Sequence, residues 1–413
     1  MRRTLPAAAV PLAAAALALA ACTDPVQPPP PAAREAAPSL DVQPLTAPAV
    51  FARYVALGTS NSMGVQSAGI NASGQRAAWP AQLARRVGVP FASPLVQDPG
   101  CSPPLLPPLA ANLLLVGAFS AFGGGGDLVS AVMTTCMPLR DGITLPTNNV
   151  AISGADVHDA LYSTVESQSL RNARVGTLYS RVLLPGQTQV TAMTSQGPTF
   201  VSLELAANDV LPASTGRIAA MTPFANWQAD YDSVVKVVQS TGARAVLVGL
   251  PTDAARFPSI RRAREVFNQW PYLLTLGITV SASCYWSSNH VFVPGYILGL
   301  LSRTPATANC ADVPGATDYV LTAGDISAIN ARMAQINAHI RLRATENGYA
   351  YFALSSLYDL PKPAFSMYDV LFSSAPFGAN ISLDGVHPSA QGQGILATAA
   401  AQAINATYGL AIP

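Results

Sequence analysis

Charge is what this chain has least of. Of its 413 residues, 11% are charged, against roughly 25% in an average soluble domain. Lysine is nearly absent: Lys236 and Lys362 are the only two, and the other basic residues are arginines. The formal net charge is +1. With neither a basic stripe nor an acidic block, there is no electrostatic case for a nucleic-acid partner. Histidine is scarce as well, with four in the chain, and no Cys-x-x-Cys or nearby histidine pair gives metal-ligand spacing. The glycine run Gly123–Gly126 lacks the Gly-Lys-Ser/Thr that would make it a phosphate loop. What the chain does have is apolar mass. Half its residues are hydrophobic, enough to build one large domain or two modest ones and to exclude a disordered chain.

The first residues, MRRTLPAAAVPLAAAALALAAC, have a basic start, an apolar run and small residues before Cys22. That is a secretory signal pattern. Its end, Leu19-Ala20-Ala21-Cys22, resembles a bacterial lipobox, which would make Cys22 the lipidated first residue of an exported protein held to a membrane. An ordinary signal peptide or a short anchor are the alternatives, though the run is short for a spanning helix. Removing residues 1–21 takes Arg2 and Arg3 with it and turns the net charge from +1 to −1. Residues 22–49 are rich in proline and alanine with no hydrophobic period, and read as an extended tether. The folded domain is expected over 50–413.

Setting Cys22 aside leaves Cys101, Cys136, Cys284 and Cys310. An even number in an exported chain suggests two disulfides. Of the three possible pairings, sequence proximity favours Cys101–Cys136 and Cys284–Cys310.

From Phe51 onward, strand and helix patterns alternate. Strands are expected at Arg53–Leu57, Asn149–Ser153, Thr199–Leu205, Arg244–Leu250 and Tyr349–Leu354, and helices at Ala77–Val87, Phe224–Val238 and Ala323–Asn347. In the longest helix Ile326, Ile329, Met333, Ile336 and Ile340 form one stripe, Thr322 caps the start and Gly348 closes the end. His339 lies off that stripe and is expected at the surface. A last helix is expected after His387 with Pro388 in its first turn. This alternation predicts an α/β fold with a parallel sheet covered on both faces. In such sheets, sites form at the carboxyl ends of strands. Two oily excursions interrupt the pattern at about 97–147 and 256–320, each able to close on its own cysteine pair. They read either as walls of a substrate pocket or as peripheral packing.

The segments that follow the strands carry the chemistry. YVALGTSNSMG ends the first strand with Ser60 and its neighbour Ser62. A serine hydroxyl is a weak nucleophile until a base takes its proton. DGVHP places Asp384 three residues before His387, close enough for the carboxylate to orient the ring and stabilise the imidazolium. Gly154 and Asn208 follow the second and third strands and could donate to an oxyanion. Each feature alone is more often a turn residue. Asp209 is a rival acid, and Glu204, on the strand face of Phe200 and Ser202, reads as structural. His158 and His290 have no motif around them, although His290 could line a pocket from the second excursion.

Together, and in this order, the segments resemble the SGNH hydrolases, also called the GDSL esterase/lipase family. YVALGTSNSMG is similar to the first block, NNVAISGADVHDAL to the second, VSLELAANDVL to the third and DGVHPSAQGQG to the fifth. The resemblance spans about Val50 to the end, apart from the excursions. It implies a three-layer α/β/α sandwich with a flavodoxin-like parallel sheet. It implies Ser60 as nucleophile and oxyanion donor, Gly154 and Asn208 as further donors, and His387 as the base oriented by Asp384. It implies hydrolysis of carboxylic esters through an acyl-enzyme, without cofactor or metal. Thr59 stands where the family usually has Asp, and Ala206 where it usually has Gly. The nucleophile elbow of α/β-hydrolases is excluded, because Ser62 stands where G-x-S-x-G needs glycine. Two other readings use the same scaffold: an O-acetyl esterase acting on polysaccharide, and a surface lipoprotein that binds lipid or glycan without turnover.

Overall fold

The expected strands assemble around one parallel sheet. A computed structural model describes residues 46–109, 136–301 and 306–413. Cys22, its tether and the centre of the first excursion lie outside the described residues. The strands are β1 Tyr54–Gly58, β2 Phe200–Glu204, β3 Arg244–Gly249, β4 Ile260–Arg262, β5 Ile278–Val280, β6 His290–Phe292, β7 Ala306–Ala308, β8 Val320–Leu321 and β9 Ala350–Ala353.

The main sheet runs β1-β2-β3-β9, with every pair parallel. The segment around Asn149 joins β1 from the other side through a parallel bridge, with Ala56 N donating to Asn148 O and Val150 N to Ala56 O. The expected strand at Asn149–Ser153 is therefore present as a bridge and a short ladder, which continues as Ile152 N donates to Gly58 O. Counted along the chain, the order is second, first, third, fourth, fifth, which is the flavodoxin-like order.

Strand alternation then divides the core. Val55, Leu57, Val201, Leu203 and Leu247 point to one face and pack on Trp227, Tyr231, Met333 and Ile336. Those four come from the helices Phe224–Ser240 and Ala323–Asn347. Tyr54, Ala56, Phe200, Val246 and Val248 point to the other face and pack on Trp79, Leu83, Leu396 and Ile404. Those four belong to the helices Trp79–Val87 and Ala390–Tyr408. The result is an α/β/α sandwich whose strands are buried on both faces, as their near-continuous apolar runs require.

Three local expectations are corrected. The helix expected at Ala77–Val87 starts at Trp79, with Pro80 in its opening turn, where a missing N–H is harmless, and a separate short helix, Ala72–Ala77, precedes it. The last helix starts at Ala390, because the Ser389 hydroxyl accepts from Gly392 N and takes the cap. Pro388 thus precedes the cap and sits in an antiparallel bridge with Ile381. His339 is buried, 6% exposed, not at the surface. Its Nε2 lies 2.6 Å from Asp232 of the facing helix, which Arg343 also pairs. A polar side chain supplied with such partners can share a buried stripe.

The structure joins Cys101 to Cys136 and Cys284 to Cys310. The second excursion forms its own antiparallel sheet β4-β6-β8 and a parallel pair β5-β7. No helix among the described residues is long and apolar enough to cross a membrane.

Candidate active site

The carboxyl edge of the main sheet gathers all four motif segments. β1 stops at Gly58, where any Cβ would lie 2.6 Å from Ser62 Oγ. The chain then turns into one short helical turn, Ser60–Met63, closed by Gly64 at φ +86°. The two serines of this turn have different surroundings. Ser62 is fully buried, its hydroxyl donates to Glu204 Oε2 at 3.0 Å and accepts from Trp79 Nε1 at 3.2 Å. Ser60 faces a cleft, and neither its hydroxyl nor its amide is hydrogen-bonded among the described residues. Of these two serines, Ser60 is the one that lines the cleft.

Glu204 ends β2 directly behind that turn. It is 2% exposed and accepts from Thr59 N at 3.0 Å, Thr59 Oγ1 at 2.9 Å and Ser62 Oγ. Burial pushes its carboxyl up, and the Thr59 and Ser62 bonds oppose that. This arrangement gives a physical reason for Thr59. A second carboxylate at position 59 would share a buried site with Glu204, and the two could not both ionise without cost. Gln393 of the last helix braces the same turn, donating to Asn61 O and accepting from Trp79 N.

Asp384 and His387 meet as their spacing suggests, with His387 Nδ1 2.8 Å from Asp384 Oδ2. The carboxylate is well supplied with donors. Oδ1 accepts from His387 N at 2.8 Å, Val386 N at 2.9 Å and Ser382 Oγ at 3.2 Å, and Oδ2 accepts from Ala68 N at 2.5 Å. Burial alone would raise this carboxyl, but the His387 charge and the hydrogen bonds outweigh it and hold it at about 2. Tyr358, fully buried, donates to Val386 O at 2.7 Å and stacks on Phe257 with centroids 4.6 Å apart.

Gly154 adopts φ +82°, and its amide is unpaired among the described residues. Asn208 Nδ2 donates to Ala155 O at 2.7 Å, which fixes the amide and leaves its second proton available. Ala206, buried, stands at the cap of this short turn, and Asn208 beyond it still reaches Ala155 O. Asp209 is buried and accepts from Val157 N at 3.3 Å, tying this turn to the Gly154 loop. Burial, with help from Asp156, pushes its carboxyl up to about 7.

Ser60, Asn208 and His387 line one cleft. Its remaining wall is mostly apolar, including Phe257, Ile260 and Phe292 of the second excursion with Ile329 and Met333 of the long helix. The second excursion is therefore a pocket wall. No described residue of the first excursion lines this cleft. The other sequence candidates lie elsewhere. His158 is exposed beside Asp230, 3.0 Å away, and His290 packs inside the second excursion without lining the cleft. Among the described residues no group of three or more His, Cys, Asp or Glu side chains is placed to hold a metal ion. Sequence reasoning missed the anchoring role of Glu204, for which a lone carboxylate in an apolar strand was the available signal. It also missed Tyr358 and Ala68, which no local pattern marks.

No family model matches the chain. No curated protein matches it by sequence. Solved structures similar to it include a GDSL-like protein from Parabacteroides merdae, 11% identical over 85% of this chain and 95% of that one, with a TM-score of 0.33. An extracellular lipase from Streptomyces rimosus is 19% identical over 84% and 98%, with a TM-score of 0.32. An acetylxylan esterase variant from Geobacillus stearothermophilus is 12% identical over 87% and 94%, also at 0.32. At such identities and TM-scores these likenesses carry no argument about the chemistry of this chain, which rests on its motifs and on the geometry of the cleft.

Proposed function

We propose that this protein is an exported serine hydrolase that cleaves carboxylic esters with an apolar acyl group. The observation that carries the reading is the paired Asp384 and His387 opening, with an unencumbered Ser60, onto one apolar cleft. In this mechanism His387 Nε2 takes the Ser60 proton as Oγ attacks the ester carbonyl. Asp384 fixes the ring tautomer and stabilises the imidazolium. The oxyanion is met by the amides of Ser60 and Gly154 and by Asn208 Nδ2. Collapse of the intermediate expels the alcohol, which takes the proton from His387. Water, deprotonated by the same nitrogen, then attacks the acyl-serine and releases the acid.

The apolar wall favours acyl chains or aryl groups over an acetyl group on a sugar, which would bury little of that surface. Export agrees with the leader and with the two disulfides. A lipid on Cys22 would anchor the domain to a bacterial membrane through the 22–49 tether. The deciding assay uses residues 46–413 with p-nitrophenyl esters from acetyl to long-chain, beside Ser60→Ala and Ser62→Ala. Turnover lost in Ser60→Ala and kept in Ser62→Ala supports the mechanism, and the chain-length profile separates acyl from acetyl use. A folded wild type that neither turns over esters nor labels with a fluorophosphonate would favour the non-catalytic binding protein.

A further inference from the structure

The oxyanion and triad residues leave one nearby feature unused. Gln66 and Gly69 pair with each other, Gln66 N to Gly69 O and Gly69 N to Gln66 O, each at 3.0 Å. Between them Ser67 and Ala68 lie at φ 52° and 58°. A two-residue hairpin with both central residues at positive φ is the type I′ turn, normally made by Asn-Gly. Side chains with a Cβ are disfavoured in that conformation. Something outside the turn must hold it there.

Two sets of contacts do so. On one side the turn grips the triad acid. Ala68 N donates to Asp384 Oδ2, Ser67 N donates to Ser382 Oγ at 2.8 Å, and Leu383 N donates to Ser67 Oγ at 3.3 Å. On the other side it is pinned by the first excursion. Leu105 N donates to Ser67 O at 2.8 Å, Ile70 N to Ser102 O at 3.0 Å and Cys101 N to Ile70 O at 2.8 Å. The fit is tight, since a Cβ on Gly69 would lie 2.4 Å from Pro104 N. Cys101 itself is tied by its disulfide to Cys136, whose carbonyl accepts from Arg181.

We propose that the Gln66–Ile70 hairpin, braced by the disulfide-closed first excursion, is a positioning element for Asp384. The Ala68 amide holds Oδ2 in the line that meets His387 Nδ1, so closing Cys101–Cys136 sets turnover as well as stability. The inference rests on the triad reading above. The titratable groups facing Asp384 are His387, which it pairs, and the buried Tyr358. Releasing the brace lets Asp384 turn from the ring, and an imidazolium without an aimed carboxylate is a stronger acid.

The test compares wild type with Cys101→Ser/Cys136→Ser well below the melting temperature. The expected result is a fall in kcat of about ten-fold, KM within two-fold, and the acid limb of kcat/KM moved to lower pH. The second arm puts Ser67→Asn/Ala68→Gly into that background, making the turn self-sufficient while keeping the position-68 amide. Recovery of kcat and of the pH limb is expected. If the Cys101→Ser/Cys136→Ser variant does not fold, oxidised enzyme carrying Cys284→Ser/Cys310→Ser is reduced in solution after folding. A lowered melting temperature with unchanged kcat and pH profile would overturn the proposal. An NMR titration of His387 with and without the disulfide reads the positioning apart from activity. Wild type without turnover but with a disulfide-dependent His387 titration would sink the hydrolase reading and keep the positioning of Asp384 by the hairpin.

Discussion

The two excursions look alike in sequence and do different work. Both are long, oily and closed by their own cysteine pair. The second builds the β4-β6-β8 sheet and lends Phe257, Ile260 and Phe292 to the cleft. The described residues of the first meet the site through backbone, pairing Cys101 with Ile70 of the hairpin whose Ala68 amide donates to Asp384, and in our proposal they brace it. Composition cannot separate a wall from a brace. The difference lies in what each contributes, since side-chain surface selects a substrate while backbone hydrogen bonds hold a catalytic group in place.

The largest effect should lie outside both regions. Ser60→Ala is expected to lower kcat by at least about 1,000-fold and abolish fluorophosphonate labelling. Ser62→Ala should keep labelling but lose about 1–3 kcal/mol of stability in denaturant titration, because it deprives the buried Glu204 of a donor. Equal activity loss in the two variants would undo the distinction between the serines.

Next come the wall residues. Phe292→Ala should shift the preferred ester chain length upward and change relative kcat/KM for neighbouring lengths by about 10-fold. The Cys101→Ser/Cys136→Ser pair should leave that preference where it was. A chain-length shift from the first excursion, or none from the second, would erase the contrast.

Tyr358 connects the two functions, with its ring against Phe257 and its hydroxyl on Val386 O. Tyr358→Phe keeps the stack and removes the tether. Steady-state kinetics should show kcat reduced several-fold at unchanged chain-length preference, in keeping with a bond worth about 1 kcal/mol.

The smallest effects are in pH-dependent stability, and two carboxyls near the site should act in opposite directions. Asp384 is held at about 2, below its ordinary 3.8, so its contribution is present above pH 4 and is lost as pH falls from about 4 through about 2. Asp209 is raised to about 7, so the native state keeps its proton more tightly than the unfolded chain does. Its effect is a loss of stability as pH rises from about 4 through about 7. Melting curves of Asp209→Asn against wild type should therefore diverge in favour of the variant across that window. Parallel curves would show that Asp209 is not protonated in the native protein.

Some of this was legible in the chain and some was not. The helix Ala323–Asn347 was readable to the residue, because its cap Thr322, its stop Gly348 and its stripe are local signals. His339 was misplaced for the same reason: a count of apolar residues cannot include a polar one whose partner, Asp232, belongs to another helix. The helix expected from Ala77 begins at Trp79, with non-helical Ala78 before it and Pro80 in its first turn. Ser60 and Ser62 could not be told apart by pattern. What separates them is Glu204, 142 positions after Ser62, which binds Ser62 and leaves Ser60 free.

By itself the sequence determined the alternating elements, the scarcity of charge that leaves an apolar cleft, and the residue types at each strand end. Those follow from periodicity and from turn chemistry, which act over a few positions. Tertiary structure alone decided the strand order, the separate tasks of the two excursions, and the donors gathered around Asp384. Each of these depends on contacts between segments far apart in the chain, such as Ala68 with Asp384 across 316 positions, and only the folded sheet brings such partners within hydrogen-bonding distance.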